Sequence, residues 1–281
     1  MLHPLDYVVI VLYLSGVVYF GIRSAGRQQT TRDYFLGSRE LPWWAISFSI
    51  VATETSTLTV IGIPAVAYGG TMTFFQLTFG YLLGRVVVAF LFLPRYMAGD
   101  MQTAYTYLGE RFGVRMQRLS SVTFLGTRLL ADGVRLFATA IPIRIIALSA
   151  GVDLGYPMII LGIGILTAIY TYVGGFKAVV WMDVVQMSVY LVGAIVTIGL
   201  LLGALPAGAW SDITQAGKAQ VFFADFSLQA ILTQPYVLIT AVIGGGVFSM
   251  ASHGTDQLIV QRLLSCKDLG DARKALIGSA F

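Results

Sequence analysis

Apolar runs long enough to cross a bilayer recur along almost the whole chain, and no other feature restricts its fold so tightly. A span needs about 20 mostly apolar residues, since a helix rises about 1.5 Å per residue through roughly 30 Å of hydrocarbon. Such runs lie near 6–22, 43–69, 74–94, 119–149, 156–174, 180–204 and 235–264, and an eighth begins near Ala272 and is cut off at Phe281. The chain therefore reads as an all-α polytopic membrane protein. Only 11% of its residues are charged and 57% are hydrophobic, whereas a soluble domain carries about a quarter charged residues. Residues 1–281 are expected to form one transmembrane domain, incomplete at the C-terminal end.

The first run is read as a retained span. It has no basic stretch ahead of it, and Arg23 and Arg27 come after its apolar core, the reverse of a cleaved signal.

Basic residues give the orientation. Arg23, Arg27, Arg32 and Arg39 come after the first span, and Arg95, Arg111, Arg115 and Arg118 after the third. Lys177 comes after the fifth; Arg262, Lys267, Arg273 and Lys274 cluster after the seventh. Thirteen of the 18 Lys and Arg thus fall on one side, and the other side holds only Lys218, in the long 205–234 loop. By the positive-inside rule the N-terminus is outside, the arginine-rich loops are cytoplasmic, and the protein sits in the cell membrane.

Several function classes drop out. No basic stripe interleaved with aromatics is present, so nucleic acid is not a partner. The single Cys266 allows no internal disulfide or common zinc spacing, and His3 and His253 are far apart. With no paired carboxylates or nucleophile motif, the chain does not read as an enzyme, and no cofactor is implied.

An ionisable residue inside a span is costly and marks function by default. The second span carries "SIVATETSTLTVIGIP", residues 49–64, with Glu54 among Thr53, Thr55, Ser56, Thr57 and Thr59. As one helix from Trp43 to Tyr68 it would be roughly 39 Å long, more than the hydrocarbon. Clustered Ser and Thr compete for backbone hydrogen bonds, so a break is expected around 52–56. Freed carbonyls are tolerated where backbone lines a cavity, and broken helices of this kind build cation sites in transporters. The bland alternative is a kinked helix whose hydroxyls bond back to their own carbonyls.

The seventh span repeats the theme in "GGGVFSMASHGTDQLIVQR", where three glycines precede Ser249, Ser252, His253, Gly254, Thr255 and Asp256. In the fourth span Arg128, Asp132 and Arg135 share one helical face, which mutual pairing in the bundle interior explains. Arg144, nearer the outer end, is placed to snorkel. Between the fifth and sixth spans, "YTYVGGFKAVVWMDVVQ" predicts a tight turn at Gly174-Gly175, with Asp183 one turn into the next helix and within reach of Lys177. Interrupted spans in corresponding positions point to an inverted-repeat transporter.

Three stretches carry a family likeness: "WWAISFSIVATETST", "YTYVGGFKAVVWMDVVQ" and "GTDQLIVQRLLSCKDLGDARKA". With them the chain resembles the N-terminal part of the sodium:solute symporter family. The resemblance implies a leucine-transporter-like fold of two inverted five-helix repeats behind one extra N-terminal helix. Spans two to six would be the first repeat and span seven the start of the second. It further implies sodium-coupled symport of a small organic solute by alternating access, with sodium as the coupling ion. The sodium site would take the carbonyls of Ala52 and Thr55, with Asp183 as a coupling acid. Glu54, Thr59, Thr78, Ser249, Ser252 and His253 fall on solute positions. Sugar-transporting members resemble one another in amides where this chain has Glu54 and Ser249, which argues against a sugar. The charge of Glu54 suggests a cationic or zwitterionic solute. The missing C-terminal half would be needed for transport. A different class remains: a solute-sensing domain of a signalling protein built on the same fold. The two differ in the segment C-terminal to Phe281, which would be further spans alone in a transporter and spans with a kinase module in a sensor.

Overall fold

A computed structural model describes residues 3–23, 30–99, 101 and 103–281. Arg27, one of the orientation-setting arginines, lies outside the described residues. Among the described residues the regular structure is all helical, with a single isolated bridge between Leu41 and Cys266 in place of any strand.

The helices are α1 (Pro4–Arg23), α2 (Thr31–Leu36), α3 (Trp43–Glu54) and α4 (Thr57–Gly69). A rod from Met72 to Met97 comes next, made of a 3-10 turn (Met72–Phe75), α5 (Gln76–Val87), a π-helical turn (Val88–Phe92) and α6 (Leu93–Met97). Then come α7 (Ala104–Phe112), α8 (Val114–Ser149), α9 (Tyr156–Ala204), α10 (Ala209–Gln215) and α11 (Leu228–Thr233). The last are α12 (Leu238–Gly254), α13 (Gln257–Leu264) and α14 (Leu269–Gly278). Among the described residues, three helical stretches are long and apolar enough to cross a membrane, or up to five if each of two bent helix pairs is one span. α8 is not among them, and it carries Arg128, Asp132, Arg135 and Arg144 along its length. α9 is a single assigned helix of 49 residues, but Gly175, at φ 59° and ψ −166°, divides it into two limbs. Only glycine takes that backbone conformation without strain.

The two helix pairs are bent at short breaks. α3 and α4 meet at 67°, and α12 and α13 at 65°. At the first break Thr55 and Ser56 are extended, and the Ser56 N–H donates to the Thr59 hydroxyl at 3.3 Å. At the second, Asp256 is extended and its carboxylate accepts from the Leu258 N–H at 2.8 Å, capping α13. Both breaks therefore have the same local cause. A side-chain oxygen takes a backbone donor that a continuous helix would have used.

The packed core lies where α3, the π-helical turn, α13 and α14 converge. Ile46, Ile50, Val88, Leu93, Leu263, Leu264 and Leu276 are all fully buried there. α9 closes it with Phe176 and Val180, and the Trp44 and Trp181 rings meet edge to face at 5.6 Å. Large apolar side chains such as Leu12, Val122, Leu129 and Leu201 stand exposed on the outer helix faces, as a lipid environment requires.

Candidate functional site

The first break ends α3 at Glu54, directed at a rod that α12 grips closely. Gly80 and Gly84 on α5 face α12 so tightly that a Cβ at Gly84 would lie 2.6 Å from Ser249 Cβ, and one at Gly80 would lie 2.8 Å from the Gly246 nitrogen. Small residues spaced four apart let two backbones approach in this way. The contact sets Arg85 and Tyr81 of α5 beside Ser249 and His253 of α12.

The result is a buried ionic cluster. Arg85 Nη2 bonds Glu54 Oε2 at 2.8 Å, and Arg85 Nη1 donates to Ser279 Oγ at 2.6 Å. The other Glu54 oxygen pairs with His253 Nε2. His253 Nδ1 lies 2.9 Å from Ser252 Oγ and 3.1 Å from the Ser249 carbonyl. Both carboxylate oxygens of Glu54 are thus engaged by this chain's own side chains.

A cavity of about 390 Å³ opens beside the cluster. Its walls include Glu54, Thr59, Tyr81, Arg85, Ser252 and His253, together with Arg128, Arg135 and Asp256. On α8, Arg128 pairs with Asp132 at 3.1 Å and with Asp256 at 3.5 Å. Mutual pairing within α8, expected for all three charged residues, holds only for Arg128 and Asp132. Asp256 at the second break competes for the guanidinium, and Arg135 is left at the cavity wall with no carboxylate partner among the described residues.

The residues singled out in the sequence divide into groups. Glu54, Thr59, Ser252 and His253 share the cavity. Ser249 does not face it: fully buried in the α5–α12 contact, it donates to the Tyr81 carbonyl at 3.0 Å. Thr78 is exposed and bonds back to the Phe75 carbonyl at 2.7 Å, two turns from Arg85 on the same stripe of α5. Ala52 and Thr55 line a separate pocket of about 430 Å³, together with Thr139, Gln186 and Tyr190. Their carbonyls lie at the break, where the Ser56 N–H has turned to Thr59.

Asp183 lies one turn before Gln186 on α9. Its Oδ2 accepts from Ser49 Oγ at 2.5 Å and from Arg262 Nη2 at 3.0 Å, and Arg262 Nε donates to Ser49 Oγ at 2.8 Å. Its cation is therefore Arg262, arriving from α13, and not the nearby Lys177. A third guanidinium nitrogen donates to the Leu258 carbonyl at 2.9 Å. This knot joins α3, α9 and α13, so it ties both broken helices to one neighbour.

The two breaks differ in one respect that bears on ion binding. At the second, the Tyr96 hydroxyl donates to the Gly254 carbonyl at 2.7 Å and the Tyr105 hydroxyl to the Thr255 carbonyl at 3.2 Å. The freed carbonyls there are already capped. Ala52 and Thr55 at the first break receive no such hydroxyl cap among the described residues. Among those residues no group of three or more His, Cys, Asp or Glu could hold a metal ion.

Two helix pairs bent at short breaks around a polar centre have the form of the discontinuous spans found in broken-helix membrane proteins. A family model described as the sodium:solute symporter family matches residues 34–280. The chain belongs to that family. It is 28% identical over 276 residues to the sodium/sialic acid symporter NanT of Aliivibrio fischeri, covering 98% of this chain and 54% of the relative. To the human sodium/iodide cotransporter it is 29% identical, with 97% and 42% covered. To the human sodium-coupled monocarboxylate transporter 2 it is also 29% identical, with 96% and 43% covered. The chain spans about half the length of these relatives. A solved structure of the substrate-bound, outward-open state of a Na+-coupled sialic acid symporter superposes with a TM-score of 0.79. It is 24% identical, and the match covers 99% of this chain and 57% of that one. The fold is thus the leucine-transporter-like one, with α3 to α9 as the first inverted repeat and α12 to α14 as the start of the second.

Arg85, Arg128, Arg135 and Asp256 were not among the site residues expected from sequence. Arg85 did leave a signal. It sits in "GYLLGRVVVAF" with no acid three or four residues away, so its counter-charge had to come from another span.

Proposed function

We propose that the protein is a sodium-coupled symporter of a small anionic organic solute, working by alternating access with its N-terminus outside. The observation that carries the anionic character is Arg135, a half-buried guanidinium at the cavity wall without a carboxylate partner among the described residues. A cation paired with Glu54 fits less well, because both oxygens of Glu54 are taken by Arg85 and His253. Sialic acid, iodide and monocarboxylates, named for the relatives, are all anions, which supports the same reading.

In this scheme Arg135 takes the solute anion, Thr59 and Ser252 supply polar contacts, and His253, its ring nitrogens held by Glu54 and Ser252, shapes the wall beside them. Ser249 positions His253 from the neighbouring turn, and Thr78 meets the solute on its way in. Sodium, a hard cation suited to oxygen ligands, takes the carbonyls of Ala52 and Thr55. Asp183 couples to it through Oδ1, which lies outside both bonds made by Oδ2. An inward sodium gradient then biases the cycle toward uptake.

The test is anion uptake by the full-length protein carrying Arg135→Gln or Arg135→Lys. Losing a charge-assisted, bidentate contact worth about 3 kcal/mol lowers uptake on the order of 100-fold for the Gln variant. The Lys variant retains part of it, since the charge stays and the planar fork is lost. Unchanged anion uptake in the Gln variant contradicts the anionic reading.

A further inference from the structure

The cavity holds a second guanidinium that is present but masked. Arg85 is only 4% exposed, lines the same cavity as Arg135, and spends Nη2 on Glu54 and Nη1 on Ser279. Glu54 is different: its side chain is 33% exposed, so its carboxylate both neutralises Arg85 and borders the open space. Stability gives no sufficient reason for this pair, because a buried ion pair is often no better than apolar residues of the same volume. Its placement at the break of a span, on the wall of an anion cavity, points to what it does to the solute.

We propose that Glu54 is the residue that sets the charge of the solute: by masking Arg85 it leaves Arg135 as the one open guanidinium among the described residues of this wall, so the cavity accepts a monocarboxylate and rejects a dicarboxylate. This rests on the anionic reading of the site. Of the three arginines on the wall, Arg128 is held by Asp132 and Asp256 and Arg85 by Glu54. A first carboxylate finds Arg135. A second finds no further open guanidinium on this wall and meets the carboxylate of Glu54 instead, in a space where an unpaired charge is expensive. With Glu54 neutral, Arg85 becomes a second anion contact on the same wall.

The test is competition against uptake by the full-length protein, with acids matched in shape: propionate against succinate, and benzoate against phthalate, at pH 7.5. For the wild type, each dicarboxylate is expected to compete at least ten-fold more weakly than its monocarboxylate partner. Glu54→Gln is expected to shift that ratio at least ten-fold toward the dicarboxylate, and adding Arg85→Gln is expected to reverse most of that shift. Should Glu54→Gln not fold, Arg85→Gln alone decides, since it leaves Glu54 without its guanidinium and must weaken monocarboxylate competition at least ten-fold. Equal competition by both acids in the wild type overturns the proposal, as does an unmoved ratio in Glu54→Gln or undiminished competition in Arg85→Gln. If Arg135→Gln abolishes uptake while Glu54→Gln leaves the ratio alone, only the charge-setting role fails. If no monocarboxylate competes at all, the anionic reading fails and this proposal falls with it.

Discussion

Asp183→Asn removes the carboxylate that balances Arg262 while keeping nearly the same shape. The two side chains are 15% and 8% exposed and their charged atoms lie 3.0 Å apart. At that separation and an effective dielectric of about 20, their attraction is about 5 kcal/mol. The amide oxygen can still accept from Ser49 and from the guanidinium, so part of the interaction survives. Breaking one partner of a buried pair costs about 3 kcal/mol when the other charge is left behind. That corresponds to a fall in apparent melting temperature on the order of 6–12 °C, read by a thermal-shift assay on the detergent-purified protein. The informative comparison is a double-mutant cycle with Arg262→Met. Asp183→Asn together with Arg262→Met leaves no orphaned charge, so it is expected to recover at least half of the loss, a coupling of about 1.5 kcal/mol or more. Simple addition of the two single losses would refute the pairing as the reason for the cost. Because α3, α9 and α13 meet at this knot, the same variant is also expected to blunt the dependence of uptake on sodium concentration.

Local geometry makes three further outcomes expected. Gly84→Val should cost about 1–3 kcal/mol by overpacking, since the space a side chain needs is held by Ser249 and the α12 backbone; Gly244→Ala, with open space around it, is the matched control and should stay within about 0.5 kcal/mol in the same thermal assay. Tyr96→Phe leaves the Gly254 carbonyl without its hydroxyl donor, for an expected loss of about 1–3 kcal/mol. Cys266 is buried between α13 and α14, and that burial, with Asp271 and Asp268 nearby, pushes its thiol up. The reactive thiolate is therefore scarce at pH 8, and maleimide labelling is expected to be slow in the folded protein and fast after denaturation. Rapid labelling of the folded protein would contradict that environment.

Much of the architecture could be read from the order of residues because the lipid leaves so few choices. Span length and the freed hydrogen bonds around Thr55 and Ser56 locate the first bend, and the glycines and Asp256 locate the second. What escaped was tertiary pairing. Helical spacing puts Arg128, Asp132 and Arg135 on one face, but it cannot say that Asp256, more than a hundred residues on, takes a share of Arg128. The same limit applied to Asp183: Lys177 is near it in sequence, whereas Arg262 reaches it only once α13 packs against α9 and α3. Glu54 was recognisable as a charge that needed a partner. Its partners, Arg85 and His253, come from two other helices, and the glycine contact between α5 and α12 that aligns them has no periodic signature strong enough to reveal the register. That alignment reverses the inference about solute charge, because a satisfied glutamate no longer calls for a cation and an unsatisfied Arg135 calls for an anion.

The most direct test of sodium-coupled anion uptake is transport by the full-length protein in liposomes, with membrane potential clamped. Radiolabelled monocarboxylate is offered with an inward sodium gradient, with equal sodium on both sides, and with potassium in its place. Accumulation above the external concentration is expected only with the inward sodium gradient, and it should collapse in the Arg135→Gln variant. Accumulation that persists when potassium replaces sodium would contradict the coupling, and sodium-driven accumulation of a cation in preference to a carboxylate would contradict the reading of the site.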